Sequence, residues 1–195
     1  MDPKARRIEN DRERQLLAST AAGDRDAFTE LFGIYHPRLF RFIYRLTHSY
    51  SISDELVNDI MLLVWRKAAS FRGDSKVSTW IFGIGYRQTM KRLSRDKHSV
   101  LRNSDDAESI ADSPGTAEEE DWVREGLRFL PPIHRVTATL VFFAGLSYKE
   151  VAEVSDCPVS TVKTRMFHVR RKLREILPEI ARPGSNSIDA TPDES

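Results

Sequence analysis

Apolar residues recur at helical spacing along most of the chain, in two blocks separated by a polar stretch. From about residue 11 to residue 97, leucine, isoleucine and phenylalanine lie three or four positions apart, and few stretches alternate as a β-strand would. Helical spacing resumes at residue 122 and continues to about residue 181. The pattern predicts an all-α protein with two small helical domains.

The first block contains several predicted helix boundaries. An apolar stripe over residues 27–35 stops at His36-Pro37, because proline disfavours helical geometry in the residue before it. Pro37 itself suits the first position of a second helix. Ser53 is the expected N-cap of a third helix, with Asp54 and Glu55 in its first turn, where the helix dipole favours negative charge.

A fourth helix is expected to start after Ser75 or Ser78 and to continue to about Leu93. It contains Gly83 and Gly85, and a glycine in a helix interior costs about 1 kcal/mol relative to alanine. The two glycines therefore predict close packing against this helix.

The stretch between the two blocks is acidic and lacks aromatic residues. Its composition, with Ser113-Pro114-Gly115 in the middle, is typical of a flexible linker. After residue 182, Pro183-Gly184-Ser185 opens a polar tail. We therefore expect a flexible N-terminus at residues 1–10, a first domain at 11–96, an acidic linker at 97–121, a second domain at 122–182 and a disordered tail at 183–195.

Composition and charge exclude several classes of protein. The 195 residues include 30 basic and 29 acidic ones, so the net charge of +1 neither indicates nor excludes a nucleic-acid partner. No apolar run is long enough to insert into a membrane, and the polar N-terminus does not resemble a secretory signal, so we expect a cytoplasmic protein. A lone cysteine, Cys157, excludes an internal disulfide framework.

Catalytic motifs are missing from the sequence. The five histidines show no close ligand pairing, and the chain has neither a phosphate-cradling glycine loop nor a nucleophile motif. We therefore expect a protein that is not an enzyme, with no metal site and no cofactor.

Residues 146–173 have the pattern of a helix-turn-helix. Ser147 and Glu150 can form a capping box at the start of a short helix, residues 155–158 form the turn, and a second helix begins around Val159. The second helix has one apolar face, at spacings of four, three and four: Val162, Met166, Val169 and Leu173.

The other face of this second helix suits DNA. Between Pro158 and Arg174 there are six basic residues and no acidic one, as a helix lying against phosphates requires. The hydroxyl, amine and imidazole groups near its start suit base edges in a major groove. The candidate base readers are Ser160, Thr161, Lys163, Thr164 and His168, and the candidate phosphate contacts are Arg165, Arg171 and Lys172.

Taken together, the two blocks resemble the extracytoplasmic function (ECF) sigma factors of the bacterial sigma-70 family. The resemblance covers about residues 26–95 and 126–177. It is carried by DAFTELFGIYHPRLFRFIYRL and DELVNDIMLLVWRKAASFRGDSKVSTWIF in the first block, and by LRFLPPIHRVTATLVFFAGLSYKEVAEVSDCPVSTVKTRMFHVRRKLREIL in the second. It implies a sigma-two-like bundle and a sigma-four-like helix-turn-helix that reads the minus-thirty-five element. The implied partners are bacterial RNA polymerase core, promoter DNA and an anti-sigma factor.

The resemblance also assigns a polymerase-binding surface. In the family, the helix matching residues 54–65 docks on a coiled coil of the largest polymerase subunit, which is basic where the helix is acidic. The residues that fit this role form one exposed strip in this sequence: Glu55, Asn58, Asp59 and Leu62.

A further assignment concerns the minus-ten element, which the family opens and reads with the segment matching residues 71–92. The resemblance places the loop that receives a flipped base at Phe71, Arg72, Asp74 and Ser75, the aromatic supports at Trp80 and Tyr86, and the strand contacts at Arg87, Lys91 and Arg92. Arg87 and Lys91 stand where family members commonly carry asparagine and aspartate. The departure predicts a more cationic surface with a steeper salt dependence.

Two other interpretations fit parts of the sequence. A conventional helix-turn-helix regulator would use the first block for dimerisation or sensing and would bind duplex DNA by itself. An adaptor would bind a protein through the acidic helix without using DNA, which the basic second helix argues against.

Overall fold

The computed structural model describes residues 3–96, 126–127 and 129–176, which form helices and connecting turns in two compact units. The first unit contains α1 (Pro3–Ala21), α2 (Arg25–Thr47), α3 (Tyr50–Lys67) and α4 (Val77–Asp96), with a 3-10 turn at Ala68–Ser70. The second contains most of residues 126–176, with α5 (Pro132–Phe142), α6 (Tyr148–Ser155) and α7 (Val159–Ile176). The described residues include no strand, and the all-α, two-domain prediction is confirmed. The expected linker at 97–121 lies outside the described residues, as does the expected tail.

Helix α2 is the centre of the first unit and contacts α1, α3 and α4. Five of its large side chains are completely buried: Leu31, Tyr35, Leu39, Phe42 and Ile43. Fully burying one aliphatic or aromatic side chain contributes about 1.5–3 kcal/mol, so this stripe is a main source of the unit's stability.

Pro37 lies inside α2, and the prediction that one helix ends before it is wrong. The buried stripe continues through Tyr35 and Leu39 on either side of the proline, so packing favours one continuous helix. Pro37 and Gly33 both lie on the exposed side of α2. The Gly33 carbonyl, which loses its helical donor at Pro37, can therefore be hydrated.

Helix α3 begins four residues earlier than the sequence predicts. Ser49 is the N-cap, and its hydroxyl accepts a hydrogen bond from the Ile52 N–H at 3.4 Å. Ser53 is buried within the helix, where its hydroxyl donates to the Ser49 carbonyl at 2.6 Å. Asp54 and Glu55 consequently fall in the second turn, beyond the amides that an N-cap exposes.

Of the two glycines of α4, for which the sequence predicted close packing, Gly85 is the one that lies against other helices. A Cβ at Gly85 would lie 2.9 Å from Leu39 Cδ2 and 3.9 Å from Ile60 Cδ1. At Gly83, the nearest atoms belong to the Arg87 guanidinium of the same helix, at 3.4 Å. Close packing between helices therefore depends on Gly85.

Helix α1 covers most of the segment for which the sequence predicted a flexible N-terminus. Three side chains of its inner face are buried: Glu13, Leu17 and Thr20 are 5%, 1% and 2% exposed. Arg38 Nη1 lies 3.7 Å from Glu13 Oε1. Burial raises the pKa of Glu13, an effect that the Tyr35 hydroxyl and the Arg38 guanidinium oppose.

The second unit contains the helix-turn-helix that the sequence predicts. The capping box is present: the Ser147 N–H donates to Glu150 Oε2 at 2.8 Å, and the Glu150 N–H donates to Ser147 Oγ at 3.4 Å. Asp156 ends α6 in the left-handed region, at φ 50°. Val162, Met166 and Val169 are completely buried, and Leu173 is half-buried.

Membrane-spanning helices and metal-binding groups are both absent from the described residues. None of their helices combines the length and the apolar character needed to cross a membrane. Nor do they contain a group of three or more histidine, cysteine, aspartate or glutamate side chains placed to hold a metal ion.

Candidate functional sites

The acidic strip predicted on α3 is present on the surface. Glu55, Asp59 and Leu62 are exposed, Leu62 by 45%, and their spacing of four and three places them on one helix face. Asn58 is also exposed, and its amide donates to the Asp54 carbonyl at 2.9 Å. The Asn58 amide therefore binds its own helix, whereas Asp59 and Leu62 present a carboxylate and an apolar side chain outward.

Glu55 and Arg92, which the sequence assigns to different partners, contact each other. Arg92 Nη1 lies 3.1 Å from Glu55 Oε1 and joins α4 to α3. Arg92 consequently lies on a different side of α4 from Arg87 and Lys91. The structure does not bring these three cations together on one track.

The loop from Phe71 to Ser75 connects the 3-10 turn to α4 and is built around an aromatic pair. The rings of Phe71 and Trp80 lie 5.6 Å apart and are tilted by 60°. Both side chains are half-buried, and Arg72 and Asp74 are exposed. Gly73 has φ +81°, a conformation that side-chain-bearing residues rarely adopt. The predicted loop residues therefore form one cluster at the start of α4.

Arg14 of α1 also belongs to this cluster, and the sequence reasoning missed it. Its Nη2 donates to the Gly73 carbonyl at 3.0 Å and to the Ser75 carbonyl at 3.1 Å. Its guanidinium carbon lies 5.9 Å from the centre of the Phe71 ring. Arg14 is about sixty positions from the loop in sequence, so no local pattern could have indicated the contact.

The outer face of α4 continues from the aromatic pair. Trp80, Arg87 and Lys91 are separated by seven and four positions, so they lie on one face of the helix, and both cations are exposed. The Arg87 guanidinium lies over Gly83. Tyr86 is half-buried and lies on another side of α4, away from this face.

In the second unit, α7 presents one broad exposed face opposite its buried side. Its exposed members have helical spacing: Ser160, Lys163, Thr164, Phe167 and Arg171. Phe167 is 61% exposed and stands in the middle of this face. The sequence analysis assigned Phe167 no role. Its place among the predicted DNA contacts on this face makes it a further candidate.

The other predicted DNA contacts of α7 lie beside this face. Arg165 Nη1 lies 3.8 Å from Cys157 Sγ, and both residues are half-buried. Lys172 Nζ donates to Glu175 Oε2 at 3.1 Å. Thr161 is half-buried. The structure therefore places these three residues beside the outward group and not within it.

His168 also lies beside the outward group, where its ring stacks on that of His134 of α5 with centroids 5.7 Å apart. Burial lowers the pKa of His134, and the neighbouring His168 and Arg165 lower it further. A neutral His134 can pack against His168 without adding charge beside Arg165. His168 therefore has a packing role in the second unit.

Arg170 shows that not every basic residue of α7 is available to DNA. It donates to the Tyr148 hydroxyl and so ties α7 to the first turn of α6. Four cations of α7 remain exposed: Lys163, Arg171, Lys172 and Arg174.

Comparison with protein families identifies both units. The family described as Sigma-70 region 2 matches residues 31–99, and the family described as Sigma-70, region 4 matches residues 121–173. Among individual proteins, the chain is 32% identical over 163 residues to the ECF RNA polymerase sigma factor SigM of Mycobacterium tuberculosis, covering 84% of this chain and 83% of SigM. It is 28% identical to the RNA polymerase sigma-H factor of Pseudomonas aeruginosa, covering 90% of this chain and 98% of that protein.

Solved structures show the same fold. CnrH, solved in complex with the cytosolic domain of CnrY, matches with a TM-score of 0.68 at 24% identity, covering 86% of this chain and 98% of CnrH. The sigma factor RpoE of Bartonella quintana, solved with the anti-sigma factor NepR, matches with a TM-score of 0.62 at 26% identity, covering 80% of this chain and 98% of that one.

Proposed function

The chain belongs to the extracytoplasmic function sigma factors of the sigma-70 family, and from this premise we propose which of its surfaces meet the polymerase, the minus-ten element and the minus-thirty-five element. As an RNA polymerase sigma factor it is a transcription initiation factor and not an enzyme. The comparisons give no support to a conventional helix-turn-helix regulator. We also propose a cytoplasmic location, where core polymerase and promoters are found in bacteria.

The polymerase surface is the exposed strip of α3. Asp59 and Leu62 offer a carboxylate beside an apolar side chain, a combination that suits a basic helical partner. Glu55 contributes less free charge than the sequence suggests, because Arg92 is paired with it. Asp59 is therefore the residue whose charge matters most in this strip.

The minus-ten surface is the loop at Phe71–Ser75 together with the outer face of α4. The Phe71–Trp80 pair supplies aromatic rings at the loop. Arg87 and Lys91 supply positive charge further along the same face of α4. Stacking on aromatic side chains contributes about 1–3 kcal/mol per unpaired base, and cations attract the phosphates between bases. Tyr86 and Arg92 lie away from this surface, so we assign them to the fold.

The minus-thirty-five surface is the exposed face of α7. The observation that carries this assignment is that hydroxyl, cationic and aromatic side chains share one outward face of a capped helix-turn-helix. Ser160, Lys163 and Thr164 lie in the first turns, which reach base edges when a recognition helix enters the major groove. Arg171 and Lys172 lie further along and suit phosphates.

An anti-sigma factor is the fourth proposed contact. The support is the RpoE structure, in which a sigma factor at 26% identity is bound to the anti-sigma factor NepR. An anti-sigma partner of this chain should prevent its assembly with core polymerase when the two are mixed in competition.

Reconstituted transcription tests the proposed surfaces. The purified chain would be mixed with bacterial core RNA polymerase on a genomic promoter library, with Asp59→Lys as the test variant and Glu30→Lys as the control. Glu30 is an exposed acid of α2 outside the proposed surfaces. We expect Asp59→Lys to weaken core binding at least tenfold and to abolish promoter-specific initiation, with the control near wild type. Equal core binding by all three proteins would refute the assignment of α3.

A further inference from the structure

Arg14 contacts three alternate residues of the minus-ten loop with one side chain. It donates to the carbonyls of Gly73 and Ser75, and its guanidinium lies beside the ring of Phe71. The two carbonyls converge on one nitrogen, at 3.0 and 3.1 Å. The backbone of this loop is therefore tied to α1.

The base of Arg14 is held firmly although its side chain is exposed. Its neighbour Glu13 is 5% exposed, and Leu17, one turn later, is 1% exposed. The backbone of α1 is thus fixed against the unit at the level of Arg14. Because this backbone is already ordered, holding the loop costs only the rotamer entropy of the Arg14 side chain itself.

The loop backbone and the Arg14 guanidinium fit closely together. Gly73 adopts φ +81°, and a Cβ at this position would lie 3.2 Å from Arg14 Nη1. Glycine therefore suits position 73 for two reasons: the backbone has a positive φ, and the guanidinium lies close to where a Cβ would be. Without Arg14, the carbonyls of Gly73 and Ser75 would turn toward water, and the loop would sample other conformations.

We propose that Arg14 is a positioning residue for promoter opening, which holds the loop at Phe71–Ser75 in the shape that receives a flipped base. The inference rests on the proposed function of that loop. Arginine suits the role because one planar group donates to two carbonyls and stacks on an aromatic ring. Lysine can supply the hydrogen bonds but not the planar stacking surface.

The test uses holoenzyme, formed from the full chain and core polymerase, and a single-stranded oligonucleotide carrying the minus-ten element of a promoter that this holoenzyme transcribes. An abasic site would be introduced at each position in turn. Removing the base that the loop receives should lower the affinity more than removing any other base. The variants are Arg14→Gln and Arg14→Lys. The matched control is Arg12→Gln on the same helix, where Arg12 pairs with Glu30.

We expect Arg14→Gln to lower the affinity for the intact oligonucleotide about fivefold to tenfold. The wild type should lose more affinity at one abasic position than at the others, and Arg14→Gln should lose no more there than elsewhere. Arg14→Lys should restore part of that discrimination, and Arg12→Gln should match the wild type. Core binding and the Tm should be unchanged in all variants, so that a folding defect is distinguished from a positioning defect.

Two outcomes would overturn the inference. An equal loss at every position, with a log–log salt slope shallower by about 0.7, would make Arg14 a phosphate contact instead. In the second outcome, Arg14→Gln keeps the larger loss at one abasic position and Phe71→Ala does not. The loop would then receive the base without help from Arg14. If Phe71→Ala also kept full discrimination, the proposed function of the loop would itself fail.

Discussion

Phe167 is the aromatic member of the outward face of α7, which we propose meets DNA. Phe167 is 61% exposed and lies between Lys163 and Arg171 on the outward face of α7. The buried side of α7 is already filled by Val162, Met166 and Val169, so folding does not require this ring. In a major groove, an apolar side chain finds a matching surface in the methyl group of thymine.

Replacing Phe167 by alanine tests whether its ring meets a thymine methyl group. Burying one methyl group contributes about 0.8 kcal/mol, which is roughly fourfold in affinity. We expect holoenzyme with the wild-type chain to lose roughly this factor when one particular thymine of the minus-thirty-five element is replaced by deoxyuridine. Holoenzyme with Phe167→Ala should be insensitive to the same replacement. Equal sensitivity of both proteins at every thymine would show that Phe167 does not read a methyl group.

At the same scale, several charged residues of α7 serve the fold. Arg170 is bonded to Tyr148, and Arg165 lies against Cys157. The sequence analysis counted both among six basic residues and named Arg165, like Arg171, as a candidate phosphate contact. The distinction depends on which neighbour each guanidinium meets, and that neighbour lies on another element.

At the scale of elements, α4 has one side for packing and another for binding. Gly85 lets α4 approach α2, where Leu39 is completely buried. The opposite side carries Trp80, Arg87 and Lys91. The position of the proposed DNA-binding face therefore depends on how closely α4 packs behind it.

Alanine at the two glycines of α4 should have opposite effects on stability. Gly83→Ala should raise the free energy of unfolding by up to about 1 kcal/mol, because alanine is the better helix former and the nearest atoms to its Cβ belong to the flexible Arg87 side chain of the same helix. Gly85→Ala should lower it by about 1–3 kcal/mol, because the methyl group would overlap Leu39. Chemical denaturation of the two variants measures both values. A stabilised Gly85→Ala variant would show that the contact relaxes easily.

Local boundary signals in α2 and α3 were weaker than the apolar stripe that crosses them. Pro37 interrupts one backbone hydrogen bond, whereas the stripe from Leu31 to Ile43 buries five large side chains. Ser53 has the chemistry of an N-cap, but its position faces the core, and its hydroxyl finds partners in Ser49 and Thr47. Both errors therefore have one cause, which is that burial outweighs a single hydrogen bond.

At the scale of the whole molecule, a net charge of +1 conceals separated surfaces of opposite sign. The exposed strip of α3 is acidic, whereas the outward faces of α4 and α7 are basic. One nearly neutral chain can thus bind a basic protein surface through α3 and anionic DNA through α4 and α7.

The cationic face of α4 should appear in the salt dependence of promoter binding. Each phosphate contact to a single strand contributes about 0.7 to the log–log salt slope. The combined variant Arg87→Asn, Lys91→Asp should therefore make the slope shallower by about 1.4 for holoenzyme on a single-stranded minus-ten oligonucleotide. Arg25→Gln, an exposed charge at the start of α2, is the control. An unchanged slope in the combined variant would remove Arg87 and Lys91 from the DNA surface.

The sequence by itself determined the all-α class, the helix-turn-helix and the family. The class and the helix-turn-helix follow from local periodicity and from the capping pair Ser147 and Glu150, which a linear pattern preserves. The family was indicated by the resemblance of both blocks to the extracytoplasmic function sigma factors. The sequence also indicated close packing at the two glycines of α4, but only the structure showed that Gly85 is the one that meets other helices.

The tertiary structure alone decided which of the candidate residues act together. It paired Glu55 with Arg92, stacked His168 on His134, and brought Arg14 to a loop about sixty positions distant. Such contacts join residues on different helices, and their geometry depends on how the helices pack. Spacing along the chain carries no information about that packing, so these relationships could be found only in the folded molecule.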